Sequence, residues 1–282
     1  MKRKLSEQFP AATWRLLITN PLAHDGATNM AIDEAMLSGV AAGQSPSTLR
    51  FYAWQPPCVS IGYAQSMRGV VDLDACRHDG VTWVRRPTGG RAILHSDELT
   101  YSIVLPASEK RVRGGVVASY RRLSRGLLVG LRLLGLEAVQ AEVMKEKTTT
   151  PSVACFDVPS HYEITVRGKK LLGSAQARRQ KAVLQHGALP LTGDVSRLVN
   201  YLQLPDDERT ALRAELRRRA ITLEEALGRA VPLSEVAEAL AQGFAEALNL
   251  HLAPGKLTCR EQTLARQLGE EKYANDEWGF HK

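Results

Sequence analysis

Cys155 opens the stretch Cys155-Phe156-Asp157-Val158-Pro159-Ser160-His161-Tyr162-Glu163, and fifteen residues further on Lys170 sits within Gly168-Lys169-Lys170-Leu171-Leu172-Gly173-Ser174-Ala175. A thiol brought beside an ammonium makes an activated nucleophile. Only the thiolate reacts, and an unperturbed pKa of about 8.5 leaves about 3% of it ionised at neutral pH. A nearby lysine that lowers the pKa by about 1.5 units supplies roughly 2 kcal/mol and raises that fraction about fifteenfold. A cysteine serving as a small apolar filler has the same appearance in a sequence. His161 and His186 are the histidines that could act as bases for such a thiol, but neither spacing nor context singles them out. His186, in Gln185-His186-Gly187, lies in an apolar run that suits a hydrogen-bonded structural histidine.

A second chemical feature is Arg85-Arg86-Pro87-Thr88-Gly89-Gly90-Arg91-Ala92-Ile93-Leu94-His95. Glycines let backbone approach a ligand closely, and open N–H groups beside arginines suit a carboxylate, a phosphate or a pantetheine-like group. Arg85, Arg86, Gly89, Gly90, Arg91 and His95 are therefore candidate binding residues. A Gly-Gly hairpin with solvated arginines fits the same pattern. Neither Gly-x-x-x-x-Gly-Lys-Ser/Thr nor Gly-x-Gly-x-x-Gly occurs, so the two commonest nucleotide-phosphate motifs are absent.

The elements expected to position these residues follow from periodicity. Ile32, Met36 and Val40 at i, i+4 and i+8, with Gly43 beyond, predict a first helix over 28–42. Residues 49–53, 59–63, 81–85, 92–95 and 101–105 read as short strands of a meander-like, largely antiparallel sheet. Residues 116–136 read as a helix with Val117, Tyr120, Leu127, Leu131 and Leu134 on one side. Its arginines, Arg121, Arg122, Arg125 and Arg132, form either a solvated basic face or a surface for nucleic acid or membrane. Residues 145–159 form a loop that holds Cys155, and a hairpin over 162–173 turns at Arg167-Gly168. If that turn has two residues, Lys170 faces Thr165 near the hairpin end, and the loop before Tyr162 must fold back to reach it. A strand over 181–189 follows, and beyond Thr192 the chain turns helical. Thr222 with Glu225 and Thr258 with Glu261 are capping-box pairs, and Val236, Leu240, Phe244 and Leu248 form a core stripe. Without a visible linker, residues 1–282 are expected to form one α+β domain, sheet-rich over 28–192 and helical over 193–282.

Composition narrows the function classes. The 44% hydrophobic and 24% charged content is that of an ordinary globular chain. The longest apolar run, 126–136, is too short to span a bilayer and Arg132 interrupts it. Lys2, Arg3 and Lys4 are not followed by an apolar signal core, so a cytoplasmic protein is expected. Four scattered cysteines without Cys-x-x-Cys, and seven histidines without His-x-x-x-His, imply neither a disulfide framework nor a metal. The net charge of +7 favours acidic partners. Nucleic acid is disfavoured, because aromatics make up only 6% of the chain and none alternate with the arginines.

Taken in order, Asn29-Met30-Ala31-Ile32-Asp33-Glu34, the 85–95 loop, 168–175, Gln185-His186-Gly187 and Glu271-Lys272-Tyr273-Ala274-Asn275-Asp276-Glu277-Trp278 resemble the lipoate/biotin protein ligase superfamily over nearly the whole chain. Residues 155–160 look like the segment that marks its bacterial octanoyltransferase branch, although His161 stands where that branch usually has tryptophan. The resemblance implies a mixed, largely antiparallel sheet flanked by helices, with an acyl tunnel beneath the Gly-Gly loop. It implies transfer of an octanoyl group from acyl carrier protein to a lysine of the glycine cleavage H protein or of a lipoyl domain of a 2-oxoacid dehydrogenase. Cys155 would carry the acyl group, Lys170 would lower the thiol pKa and orient the carbonyl, and no cofactor would be needed. Backbone N–H groups near Gly173 and Ser174 are the expected oxyanion site, and Ala175 beside them is a further expected binding residue. An ATP-dependent lipoate-protein ligase and a lipoyl-domain amidotransferase are the alternatives on the same fold.

Overall fold

The computed structural model describes residues 9–141 and 163–280. The expected 145–159 loop, with Cys155 and His161, lies outside the described residues. An eight-stranded mixed sheet runs in the order β11-β1-β2-β6-β10-β9-β8-β7. Its strands are β1 (Ala12–His24), β2 (Thr48–Trp54), β6 (Glu98–Pro106), β7 (Val139–Gln140), β8 (Ile164–Val166), β9 (Lys169–Arg179), β10 (Ala182–Pro190) and β11 (Leu250–Pro254). β1 is parallel to β2 and to β11, and every other pairing in the sheet is antiparallel. A separate three-stranded sheet holds β3 (Cys58–Ile61), β4 (Thr82–Arg85) and β5 (Ile93–His95), with β3 parallel to β4.

The expected meander is thus divided. Residues 48–54 and 98–106 pair within the large sheet, while the three strands between them form the small one. The small sheet has its own core of Val59, Ile61, Met67, Val71 and Cys76, and α2 (Leu73–His78) crosses from β3 to β4. A helical crossover is what makes the β3/β4 pair parallel. β1 and β11 form the far edge of the large sheet.

Side-chain alternation along β6 shows how the large sheet is covered. Leu99, Tyr101, Ile103 and Leu105 face a core built with α3 (Val116–Leu133) and α6 (Leu233–Leu248), whereas Val104 faces α1 (Gly26–Ala41). α1 begins two residues earlier than expected, because the Asp25 side chain accepts a hydrogen bond from the Thr28 amide at 2.7 Å and caps it. Both capping boxes form as expected, at α5 (Leu223–Leu227) and α7 (Cys259–Leu268), and the Val236, Leu240, Phe244 and Leu248 stripe is buried. α4 (Asp206–Arg219) and α8 (Asp276–Gly279) complete the helices, α8 following a π-helical turn at Gly269–Tyr273. On α3, Leu123 joins the buried Tyr120, Leu127 and Leu131, whereas Val117, expected on that side, is 40% exposed. Among the described residues no helix is long and apolar enough to cross a membrane.

α3 and α6 touch backbone to backbone. A Cβ at Gly243 would lie 2.2 Å from the Gly130 nitrogen, and one at Gly126 would lie 2.2 Å from the Phe244 ring. Neither helix can yield without opening the core between them. Gly243→Ala is therefore expected to destabilise the fold by about 2–3 kcal/mol through overpacking, seen in urea denaturation as a lower midpoint with an unchanged slope. An unchanged midpoint would show that the helices part freely.

Candidate functional site

Adjacent arginines in the strand that leads into the Gly-Gly loop point opposite ways. Arg86 Nη1 donates to the Ser60 carbonyl at 2.9 Å and to Ser60 Oγ at 2.7 Å, and its Nη2 donates to the carbonyls of Gly89 and Arg91, each at 3.0 Å. It therefore holds the Gly-Gly loop in shape from beneath. Gly90 has φ +98°, in the left-handed region, and a Cβ at Gly62 would sit 1.9 Å from the Gly90 carbonyl oxygen. Only backbone without side chains fits at that approach.

Arg85 corrects the sequence reading. Its buried guanidinium donates to the carbonyls of Gly62, Tyr63, Gln65, Trp278 and Gly279 at 2.6–3.2 Å, and the Trp278 indole donates back to the Arg85 carbonyl at 3.1 Å. Five carbonyl acceptors occupy its fork, so Arg85 joins the C-terminal segment to the small sheet and is not in the cavity wall. The same segment is anchored to Glu34 by Lys272 Nζ at 2.7 Å and by the Tyr273 hydroxyl.

The loop roofs a cavity of about 350 Å³. Of the expected binding residues, Arg86, Gly89, Gly90, Arg91, His95, Gly173, Ser174 and Ala175 all line it, although they are scattered over the chain. Val116 and Tyr120 of α3, Tyr52 and Trp54 of β2, and Gly187 of β10 supply further wall. A clearance cut into β10 admits the ligand space, since a Cβ at Gly187 would meet Ser174 Oγ and the Tyr101 ring at 2.6 Å each. Arg91 Nη1 is a buried donor without a hydrogen-bond partner.

Two buried polar chains support this wall. His95 stacks on Trp54 with ring centroids 3.9 Å apart, and its nitrogens bond Ser60 Oγ at 2.6 Å and Glu98 Oε1 at 2.7 Å. His95 is therefore a scaffold residue that also faces the cavity. The second chain centres on Asp33, which accepts from Arg50 Nη1 at 2.9 Å, Tyr52 at 3.0 Å and Ser102 at 2.8 Å. His186 Nδ1 lies 3.3 Å from Asp33, and its Nε2 lies 2.7 Å from Thr88 Oγ1 in the Gly-Gly loop. With both ring nitrogens engaged, His186 is structural, as its apolar context suggested. Burial lowers its pKa against the opposing pull of Asp33, and Arg86 and His95 lower it further. Arg50, Tyr52 and Tyr101 carry no motif, and nothing in the sequence marked them.

Lys170 is buried and donates to Glu163 Oε1 at 2.7 Å. The hairpin places Thr165 opposite Lys170 as the two-residue turn required, yet Ile164 pairs with Leu172, which leaves Leu171 as an extra residue. That bulge reverses the facing of the strand beyond it. Lys170 and Gly173, which would otherwise face opposite ways, come together, and a Cβ at Gly173 would lie 2.9 Å from Lys170 Cε and 3.2 Å from Nζ. Strand geometry limits which N–H groups here can share an oxyanion. Gly173 and Ser174 are consecutive residues of β9 paired with Ala188 and Gly187, and consecutive strand N–H groups point to opposite edges. Their two amides cannot converge on one oxygen.

The described cysteines do not line the cavity. Cys58 and Cys76 are buried, and burial pushes both thiols up to about 12, while Cys259 is exposed on α7.

Comparisons with known proteins agree with this architecture. The family model of the lipoyl protein ligase A/B catalytic domain matches residues 25–245. The chain is 48% identical over 274 residues to the octanoyltransferase LipM of Symbiobacterium thermophilum, covering 95% of this chain and 98% of that one. It is 46% identical over 275 residues to the octanoyltransferase LipM of Kyrpidia tusciae, covering 96% and 99%. Among solved structures, a bipartite lipoate protein ligase from Thermoplasma acidophilum superposes with a TM-score of 0.79 at 28% identity, covering 95% of this chain and 96% of that one. A lipoate-protein ligase A bound with ATP gives 0.78 at 29%, covering 95% and 99%.

A histidine buried neutral favours folding above its unfolded pKa of about 6.5, and that contribution is lost as pH falls from there toward the lowered folded pKa. His24 adds the same sign, through burial and the charge of Arg50 against Asp25. Thermal unfolding between about pH 5 and 7 should show a melting temperature that falls with pH, and His186→Gln should flatten the slope. A full slope in the variant would place the titration elsewhere.

Proposed function

The chain belongs to the lipoyl protein ligase A/B catalytic-domain family, and from that premise we propose that it is an octanoyltransferase of protein lipoylation, a single catalytic domain over residues 1–282. It takes octanoyl thioester from acyl carrier protein and delivers it to a lysine of the glycine cleavage H protein or of another lipoyl domain. Relatives named octanoyltransferase at 46–48% identity over nearly the full chain support the reaction. The structural observation that carries the reading is the buried Lys170 ammonium held against Gly173, whose own backbone lines the cavity.

In this scheme the octanoyl chain lies in the cavity among Trp54, Ile93, Val116 and Tyr120. Burying its roughly seven methylene and methyl groups contributes about 6 kcal/mol, at about 0.8 kcal/mol each. The Cys155 thiol gives up its proton, the thiolate attacks the thioester carbonyl, a carbon–sulfur bond forms to Cys155 as the bond to the carrier's sulfur breaks, and the departing thiolate takes up the proton that Cys155 lost. The acceptor lysine amine then attacks the acyl-cysteine, forming the amide and regenerating the thiol. Exchange between two thioesters is nearly isoenergetic and the amide is downhill, so the activation is already present in the donor and ATP is not consumed.

Lys170 acts at the carbonyl. Its ammonium donates to Glu163. Because Glu163 also offsets the charge, the lysine's effect on the thiol depends on how the bulge aims it as well as on its charge. The elimination of Cys58, Cys76 and Cys259 by position supports Cys155 as the nucleophile. The glycine at 173 gives the ammonium its place.

Incubation with octanoyl carrier protein should give a hydroxylamine-labile octanoyl adduct, detected by intact mass, without ATP. Cys155→Ala should lose both adduct and product, and Lys170→Ala should slow adduct formation about a hundredfold or more. Transfer retained in Cys155→Ala, or product formed only from lipoate with ATP, would overturn the reading.

A further inference from the structure

Around Val116 of the cavity wall, residues 113–118 are exposed without interruption. Val116 and Val117 are 39% and 40% exposed, an apolar step at the start of α3, and Val116 also lines the cavity. Arginines ring this step. Arg122 donates to the Arg111 carbonyl at 2.9 Å and to the Arg113 carbonyl. Arg178, at the end of β9, donates to the Val112 carbonyl at 2.8 Å and to Ser119 Oγ at 2.9 Å. Arg121 projects from the next turn and is exposed. Among the described residues no carboxylate forms an ion pair with Arg113, Arg121, Arg122 or Arg178, although elsewhere on the surface arginines pair with Asp74, Asp194 and Glu215. Burial holds the Arg122 guanidinium below its usual range, and the charges of Arg125 and Arg178 lower it further, so these cations stand close enough to repel one another.

Like charges gathered around an apolar step without counter-ions among the described residues disfavour the isolated surface and are relieved by an acidic partner. Deepening the octanoyltransferase reading, on which it rests, we propose that the Val116–Val117 step and its arginines, Arg113, Arg121, Arg122 and Arg178, are the docking surface for the acidic acyl carrier that delivers the thioester. Two observations favour the donor over the acceptor. The surface is continuous with the cavity, both through Val116 and through a hydrogen-bonded chain from Arg178 by Gln176, Gln185 and Tyr101 to Ser174. It also lies away from the reacting end, because the eight steps of β9 from Lys170 to Arg178 span roughly 26 Å at about 3.3 Å each. An acceptor lysine carries its amine only one side chain from its backbone and must dock at the Lys170 end. A carrier that presents its acyl group on a long flexible arm can dock at a distance.

The test uses the full chain with Arg113→Glu/Arg121→Glu and, separately, Val117→Asp, each assayed with octanoyl carrier protein and with octanoyl-pantetheine, which has no protein to dock. With the carrier, kcat/KM should fall at least tenfold and lose most of its salt dependence. With octanoyl-pantetheine, and in transfer from preformed octanoyl-enzyme to the acceptor, rates should stay within about twofold. Unchanged carrier kinetics, an equal loss with octanoyl-pantetheine, or a loss confined to the acceptor step would each overturn the proposal. If the native chain uses neither donor, the functional reading fails, and the surface is judged by titration with carrier protein alone. Affinity that is equal in native and charge-reversed chains, or absent in both, overturns it.

Discussion

A carboxylate fully enclosed in protein must be satisfied on every side, and Asp33 is that carboxylate here. Burial alone would raise its pKa, but the hydrogen bonds of His186 and Ser102 and the charge of Arg50 hold it below the usual range. Its partners come from β2, β6 and β10, and Asp33 itself comes from α1, so one buried charge fixes the helix against three strands. Through His186 the same charge reaches Thr88 and sets the height of the Gly-Gly loop above the sheet. Removing one member would strand the others without partners, which is costlier than never having buried them.

The cavity exists because backbone replaces side chains where the two sheets meet. Gly62 and Gly90 touch directly, and Gly187 leaves room for Ser174 and Tyr101. Gly173 does the same for the Lys170 ammonium, but only because the bulge at Leu171 turns the two residues toward each other. A strand without that extra residue would present the lysine to the opposite side. Arg86 and Arg85, neighbours in sequence, divide the supporting work. One holds the loop from within the small sheet, and the other ties that sheet to the C-terminal segment.

The charge of the chain takes on meaning by location. Several surface arginines, Arg77, Arg197 and Arg217 among them, stand beside carboxylates, so their contribution to long-range attraction is largely cancelled. Around the start of α3 no such pairing occurs among the described residues, next to Val116 of the cavity wall. The helix presents its apolar face to α6 and its basic face outward.

Local chemistry was legible in the sequence wherever it was local in space. The helix stripes, the two capping boxes, the hairpin at Arg167-Gly168 and the Gly-Gly loop follow from spacing, because each is decided within a turn or two of the backbone. The ordered motifs identified the family for the same reason. What the sequence could not decide depends on pairing across long distances. The separation of the small sheet from the large one, the parallel β1 and β11 edge, and the inward turn of Arg85 toward Trp278 are set by partners far along the chain. Arg50, Tyr52 and Tyr101 carry no local signal and acquire their roles only when Asp33 and Ser174 come within hydrogen-bond reach. The facing of Lys170 shows the difference most directly. Its residue type and turn were in the sequence, but a single unpaired residue in the ladder, a property of two strands together, determined which way it points.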